Sequence, residues 1–341
     1  MGLPVAVFGA SGYGGGELVR LLDGHHGFDL VYLGAHSRAG GVLGDVHPQL
    51  EGGDRRLGPN DPDAPGPLQL AFLALPHGAS APLGRELAHR GVKVVDLGSD
   101  FRLDNDDRYQ EAYRTPHPFP GELSSWIYGL PELVDLTQAA KVASPGCYPT
   151  ATILAIAPLL AAGVIEPTGI VADCLSGVSG AGRALKDEFL FGEVAEGVRA
   201  YSVTTHRHRP EIEMALDQLT GLQTRVTFTP HLVPMQRGLL ATVTSRLTGS
   251  LARDEVITIL TDFYQGRPFV EVIDRPPQTR WTVSSNRALV TAFIDDRQGV
   301  VVSQCALDNL VKGAAGQAIQ AANLMSGLDE TLGLPLAGWM P

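Results

Sequence analysis

The sequence predicts an α/β chain in two parts: a parallel sheet covered on both faces, then an α+β part built on a mixed or antiparallel sheet. Three observations predict it. Up to about residue 100, short apolar or β-branched runs alternate with helical patterns, the order that buries a parallel sheet between helices. After about residue 150 the strand-like runs lengthen and alternate apolar with polar, which suits one covered and one solvated or interfacial face. The length of 341 residues favours two domains over one.

Residues 4–8 (PVAVF) read as the first strand and run into glycines. Residues 13–23 place Leu18, Leu21 and Leu22 on one helical face. Strands follow at 29–34, 68–74 and 92–97, with a helix at 79–90. Between them, 36–67 is dense in Gly and Pro and almost without periodicity. It is expected to border a ligand at Ser37 and Arg38 and otherwise to be surface. Beyond residue 150 the pattern gives a helix at 150–162, strands at 169–176, 223–230, 238–247, 288–294 and 299–306, and a small-residue helix at 308–325.

Bulk properties exclude several functions. Lys and Arg number 26 against 37 Asp and Glu, for a net charge of −11; nucleic-acid and anionic-membrane binders carry the opposite sign, so neither partner is expected. The longest apolar stretch, 151–165, contains Thr152, Pro158 and Gly163 and is shorter than the ~20 residues that span a bilayer. The beginning, MGLPVAVFGASG, has no basic n-region, so no secretory leader is expected and a cytoplasmic location is. Cys147, Cys174 and Cys305 are widely spaced, and no CxxC, HExxH or EF-hand loop occurs; neither a disulfide framework nor a metal is expected. The 40 glycines and 24 prolines ask for tight turns, or loops that bring backbone against a ligand.

Four places carry chemistry. Gly9-Ala10-Ser11-Gly12-Tyr13-Gly14-Gly15 leaves the first strand and opens the first helix, where backbone N–H groups and the dipole hold a pyrophosphate. The second strand ends in His36-Ser37-Arg38 without an acid. A hydroxyl and a guanidinium suit a 2′-phosphate, which favours NADP(H) over NAD(H). Cys147, in SPGCYPT, sits at or just before a helix start, where the dipole favours the nucleophilic thiolate. Cys174 and Cys305 lie in strands and read as packing residues. His206-Arg207-His208-Arg209-Pro210-Glu211 puts two histidines two apart before a helix opened by Pro210. In an extended segment both rings point the same way, and one could serve as acid and base with Glu211 orienting either. Arg102, Arg183 and Arg237 stand in glycine- or proline-rich settings and together suggest an anionic substrate.

These segments, with LALPHG (73–78), DLGSDFR (96–102), SGVSGAGR (176–183), TPHLVPMQRG (229–238) and DNLVKGAAGQA (308–318), resemble the N-acetyl-γ-glutamyl-phosphate reductases, relatives of aspartate-semialdehyde dehydrogenase. The resemblance runs in order from residue 5 to about 340. It implies a Rossmann-type NADP-binding domain at 1–147 and 310–341. It also implies an α+β substrate and oligomerisation domain of the semialdehyde dehydrogenase type at 148–309, in a homodimer or homotetramer. It implies Cys147 as nucleophile and His206 as acid/base, with His208 and Glu211 in support. Pro76, His77 and Asn309 join the cofactor residues, with Asn309 near the nicotinamide; Arg102, Ser179, Gly180 and Arg183 meet the substrate. Gly14 stands where the family often has Ala, and Arg209 where Thr is common. The implied reaction is NADPH-dependent reduction of the acyl phosphate N-acetyl-L-glutamyl 5-phosphate through a Cys147 thioester, in arginine biosynthesis. Two alternatives remain: a paralogous reductase of an N-blocked 2-aminoadipyl phosphate, one methylene longer, and a non-catalytic NADP-binding regulator.

Overall fold

The computed structural model describes residues 2–340; positions 1 and 341, the outer ends of the expected first domain, lie outside them. The chain forms two compact units. The first holds the residues up to Asp106, Pro116–Pro145 and Ala314–Leu334. The second holds Asp107–Thr115, Gly146–Gly313 and the residues from Pro335 onward. Residues 107–115, 146–147, 310–313 and 335–340, expected with the first domain, cluster with the second sheet.

The first unit is a seven-stranded sheet, with β1 (Leu3–Phe8), β2 (Phe28–Ala35), β3 (Gly58–Pro59), β4 (Leu70–Leu73), β5 (Lys93–Asp96), β6 (Ile127–Tyr128) and β7 (Lys141–Ala143). The order is β3-β2-β1-β4-β5-β7-β6, and all pairs are parallel. All four residues of β4 are buried, as a strand covered on both faces requires. Helix Tyr13–Leu22 buries Leu18, Leu21 and Leu22, the face its spacing predicts. The order reverses between β1 and β4, so the turns after these strands lie side by side at the switch point, where such sheets bind ligands.

The 36–67 excursion is more than surface. Leu43, Val46, His47 and Leu57 are buried, and Arg55 pairs with Asp23 at 2.6 Å. His47 Nε2 lies 3.0 Å from the Ala10 carbonyl, and Asn60 Oδ1 accepts the Gly9 N–H at 3.2 Å. The excursion thus buttresses the glycine loop, a role that aperiodic sequence does not display.

The second sheet comprises β8 (Ile170–Gly177), β9 (Arg199–Ala200), β10 (Val226–Val233), β11 (Leu239–Arg246), β12 (Val270–Val272), β13 (Ala288–Asp295) and β14 (Val300–Leu307). Its order is β12-β13-β14-β11-β8-β10-β9. It is mixed: β8–β10 and β12–β13 run parallel, the remaining pairs antiparallel. Every second residue of β11 is buried, the one-sided cover that alternation predicts. Helix Cys147–Ala161 lies in this unit's core, with Ile153, Leu154, Ile156 and Leu159 at 0% exposure. Each such side chain contributes about 1.5–3 kcal/mol by leaving water. Pro158 cannot donate to the Leu154 carbonyl; the Tyr264 hydroxyl does so instead, at 2.7 Å. Among the described residues, no helix is long and apolar enough to cross a membrane.

Two local expectations change. Helix His208–Thr220 starts at His208, two residues before Pro210. The region expected as one helix from 308 is a turn, a π-helical stretch at Val311–Ala315 and then helix Gly316–Met325. Asp308 causes the break: its side chain accepts the Leu310 and Val311 N–H groups, and its carbonyl takes the Gly313 N–H at 2.9 Å.

Candidate active site

The first unit carries a cradle for a phosphorylated cofactor. Gly9 has φ +89°, and a Cβ there would stand 2.3 Å from the Ala74 carbonyl oxygen. A Cβ on Gly15 would stand 2.1 Å from the Gly9 oxygen. Both glycines are therefore demanded by close packing. Gly14 differs: a Cβ there meets nothing within 4 Å, so the family's usual Ala would fit. No side chain caps helix Tyr13–Leu22, whose N-cap is Gly12. An uncapped helix start bordered by glycines fits a pyrophosphate. Ser11 is half-buried and Tyr13 exposed at this mouth; Ser37 and Arg38 are exposed after β2. Pro76 and His77 are exposed on the turn after β4. Arg102 is nearly covered, and its Nη2 donates to the Leu97 carbonyl at 2.8 Å.

The second unit gathers Cys147, His206, His208, Glu211, Ser179, Gly180, Arg183 and Asn309. Cys147 is the first residue of its helix and partly exposed, while Cys174 and Cys305 are buried. Burial pushes the Cys174 thiol up to about 12, as suits an inert packing residue. Glu211, 1% exposed, accepts the Gly146 N–H at 2.8 Å. It thereby ties helix His208–Thr220 to the turn that presents Cys147.

His206 sits among rings. Those of Tyr148, Tyr201, Phe228 and His208 lie 5.8, 5.5, 5.4 and 4.6 Å from it, edge to face or nearly so. The histidines meet although their backbone turns into a helix rather than running extended. The His208 N–H donates to His206 Nδ1 at 3.1 Å. With Nδ1 accepting, neutral His206 carries its proton on Nε2. Burial, then the charge of Arg207, lowers its pKa from 6.5 to about 4. The ring is neutral at pH 7. Stability is accordingly unaffected above pH 6.5 and falls as acid drives the pH from 6.5 toward 4, because only the unfolded ring binds the proton there. In a histidine-labelled NMR titration, the His206 resonances should hold their Nε2–H positions down to about pH 5; a midpoint near 6.5 would show a solvated ring instead.

Sequence reasoning missed two features and the partner of a third residue, Arg237. The Tyr201 hydroxyl donates to the Tyr148 hydroxyl at 3.2 Å, which donates to the His231 carbonyl at 3.1 Å. Burial pushes Tyr201 up to about 12 and Tyr148 further, so both remain protonated. Gly313 packs directly on the nucleophile: a Cβ there would lie 2.7 Å from that of Cys147. Arg237 pairs with buried Asp308 at 3.0 Å. Next to it, Asn309 accepts the Gly238 N–H at 2.8 Å and donates to Ser179 Oγ at 2.9 Å. Arg237 thus braces the turn that carries Asn309, and Asn309 in turn reaches Ser179 on the separate 178–183 loop. Arg209 pairs with Glu111, which accounts for its charge. Arg183 is exposed on the 178–183 loop. A tandem of small residues around 313 is a weak sequence hint for Gly313, and the setting of Arg237 marks that side chain but not its partner Asp308.

Comparison with known proteins agrees with this architecture. Residues 4–140 match the family model described as semialdehyde dehydrogenase, NAD binding domain. Residues 147–309 match semialdehyde dehydrogenase, dimerisation domain. The N-acetyl-gamma-glutamyl-phosphate reductase of Pelotomaculum thermopropionicum is 43% identical, over 100% of both chains. That of Desulforudis audaxviator is 45% identical, over 99% of this chain and 100% of its own. Aspartate semialdehyde dehydrogenase II of Vibrio cholerae, solved with ASA, superposes with a TM-score of 0.72 at 19% identity, covering 96% of this chain and 99% of that one. Aspartate semialdehyde dehydrogenase of Candida albicans, solved with NADP, superposes at 0.71 and 16% identity, with coverage of 96% and 99%. These structures share the fold; the full-length sequence relatives decide the family. The chain belongs to the N-acetyl-γ-glutamyl-phosphate reductase family, on the semialdehyde dehydrogenase fold.

Proposed function

We propose that the protein reduces N-acetyl-L-glutamyl 5-phosphate to N-acetyl-L-glutamate 5-semialdehyde and phosphate, through a thioester on Cys147. One observation carries the reading: a thiol at the first position of a buried helix, in one unit with a ring-enclosed, neutral histidine. Gly9, Ser11, Gly12, Tyr13, Gly14 and Gly15 would hold the pyrophosphate of NADP(H), Ser37 and Arg38 its 2′-phosphate, and Pro76, His77 and Asn309 its nicotinamide end. When bound, NADPH supplies the hydride.

The chain's own residues do the rest. Cys147 Sγ attacks the acyl carbon, the C–S bond forms, and the C–O bond to phosphate breaks with its electron pair leaving on phosphate. After reduction the oxyanion collapses, the C–S bond breaks, and Cys147 returns as thiolate with the aldehyde released. His206 donates its Nε2–H to the acyl oxygen as charge builds there. His208 and Glu211 act by position, the one fixing the His206 tautomer, the other fixing Gly146. Ser179, Gly180 and Arg183 contact the substrate; Arg183, being exposed, reaches an anion better than the nearly covered Arg102.

We also read the second unit as the surface of a homodimer or homotetramer. Leu185, Leu190, Phe191, Val198 and Val203 are exposed along 185–203, a patch that asks for cover. The reverse reaction tests the function: NADP⁺ should be reduced by N-acetylglutamate semialdehyde only with phosphate present. NAD⁺ and the one-methylene-longer semialdehyde should be poorer; a faster rate on the longer one would assign the substrate to the aminoadipyl branch.

A further inference from the structure

Behind the turn that follows β4 lies a buried acid pair joined by a single hydroxyl. Asp96 ends β5, Asp100 follows four residues later, and Ser80 opens helix Ser80–His89; all three are 0% exposed. Ser80 Oγ lies 2.9 Å from Asp96 Oδ2 and 3.0 Å from Asp100 Oδ2. A hydroxyl has one proton and can donate to only one of them. If both acids were ionised, one of these close oxygen pairs would have no hydrogen between them.

The neighbours decide which acid holds the proton. Asp100 accepts the N–H groups of Gly78 (2.7 Å), Ser80 (3.2 Å) and Ala81 (2.9 Å), and its Oδ1 lies 2.9 Å from His77 Nδ1. That donor set suits a carboxylate, and these bonds and His77 hold its pKa below the usual value despite burial. Asp96 accepts one backbone N–H, from Gly98 at 2.7 Å. Burial and the charge of Asp100 raise it to about 7, against the pull of Ser80, Gly98 and Arg102. His117, whose own pKa burial lowers, is a further titratable group that feels the charge of Asp100.

We propose that Asp96, Ser80 and Asp100 form a one-proton relay, Asp96 O–H to Ser80 O–H to Asp100, that positions the 76–78 turn and makes cofactor affinity depend on that proton. Asp100 grips the turn through Gly78 and His77; Ser80 completes its donor set only while Asp96 stays protonated. When Asp96 ionises, two carboxylates compete for one hydroxyl and Asp100 loses a donor. Asp96 is raised, so its proton is bound below about pH 7 and lost above it; affinity is highest on the acid side. The inference rests on the reading that the 76–78 turn borders the cofactor.

NADPH titrations of the full-length protein between pH 6 and 8.5 test it, with Asp96→Asn beside the wild type. Asn keeps the donor to Ser80 and the acceptor for Gly98 but cannot ionise. Wild-type Kd should rise about tenfold relative to Asp96→Asn across this range, the shared titration of the ligand cancelling in the ratio. Asp100→Asn should weaken binding about tenfold at every pH, because an amide NH2 meets N–H donors. A protonated-carboxyl band in the wild-type infrared spectrum at pH 6, missing in Asp96→Asn, reports the proton without cofactor. A constant Kd ratio, or no such band, overturns the relay. If the wild type binds no NADPH at any pH, the cofactor reading falls and its dependence on this proton with it, a result distinct from a constant ratio.

Discussion

Replacing Cys147 with alanine should lower turnover by about 10⁴-fold or more while leaving NADPH affinity within about twofold. The two effects separate because the thiol belongs to the second unit and the glycine cradle to the first. Without the sulfur no thioester forms, and hydride would have to reduce an acyl phosphate directly. Cys147→Ser is the stricter variant. It keeps the size of the side chain and its place at the start of the helix, but its hydroxyl does not ionise near neutrality, so it should be nearly as slow. Cys174→Ala is the internal control, since that sulfur is fully buried in β8 and takes no part in the chemistry. Stopped-flow acylation, active-site titration with iodoacetamide and NADPH fluorescence give the three readouts. A Cys147→Ala protein that keeps a tenth of the wild-type rate would refute covalent catalysis. If Cys147→Ala also fails to bind NADPH, the loss is structural and Cys147→Ser carries the test.

Features set by local pattern were legible in the sequence. The run 4–8, the glycines behind it and the spacing of Leu18, Leu21 and Leu22 describe a strand, turn and helix that are consecutive in the chain, so period and turn chemistry suffice. The placement of Cys147 at a helix start was legible for the same reason. Features that depend on distant partners were not. His47 and Asn60 brace the glycine loop across 37 and 51 residues, and neither stands in a periodic segment. The sequence suggests that Glu211 orients a histidine; a bond its carboxylate makes reaches back 65 residues to the Gly146 N–H. The resemblance puts Asn309 at the nicotinamide, but does not show its bonds to Gly238 and Ser179, 71 and 130 residues away. Residue type limits what a side chain can do; only the fold decides which of those bonds it makes.

Gly313→Ala should lower kcat/KM by about 10²-fold with little change in NADPH affinity. Helix propensity alone predicts the opposite tendency, because alanine in a helical turn is favoured over glycine by about 1 kcal/mol. Packing overrides it here. The new methyl would stand 2.7 Å from Cys147 Cβ and 3.2 Å from both Cys147 Cα and the Asp308 oxygen. Neither side yields easily. Cys147 opens a buried helix whose preceding turn is pinned by Glu211. The Gly313 N–H is fixed on the Asp308 carbonyl, and Asp308 is held by Arg237 and by the N–H groups of Ser284, Leu310 and Val311. The least costly relief displaces the thiol itself, and a shift of about 1 Å at a reacting atom costs about 10²-fold in rate. Melting temperature and turnover should therefore move together, the variant being no more stable than wild type and much slower, with slower alkylation of Cys147. A variant that is more stable and fully active would show that this contact relaxes freely and that Gly313 does not set the position of the nucleophile.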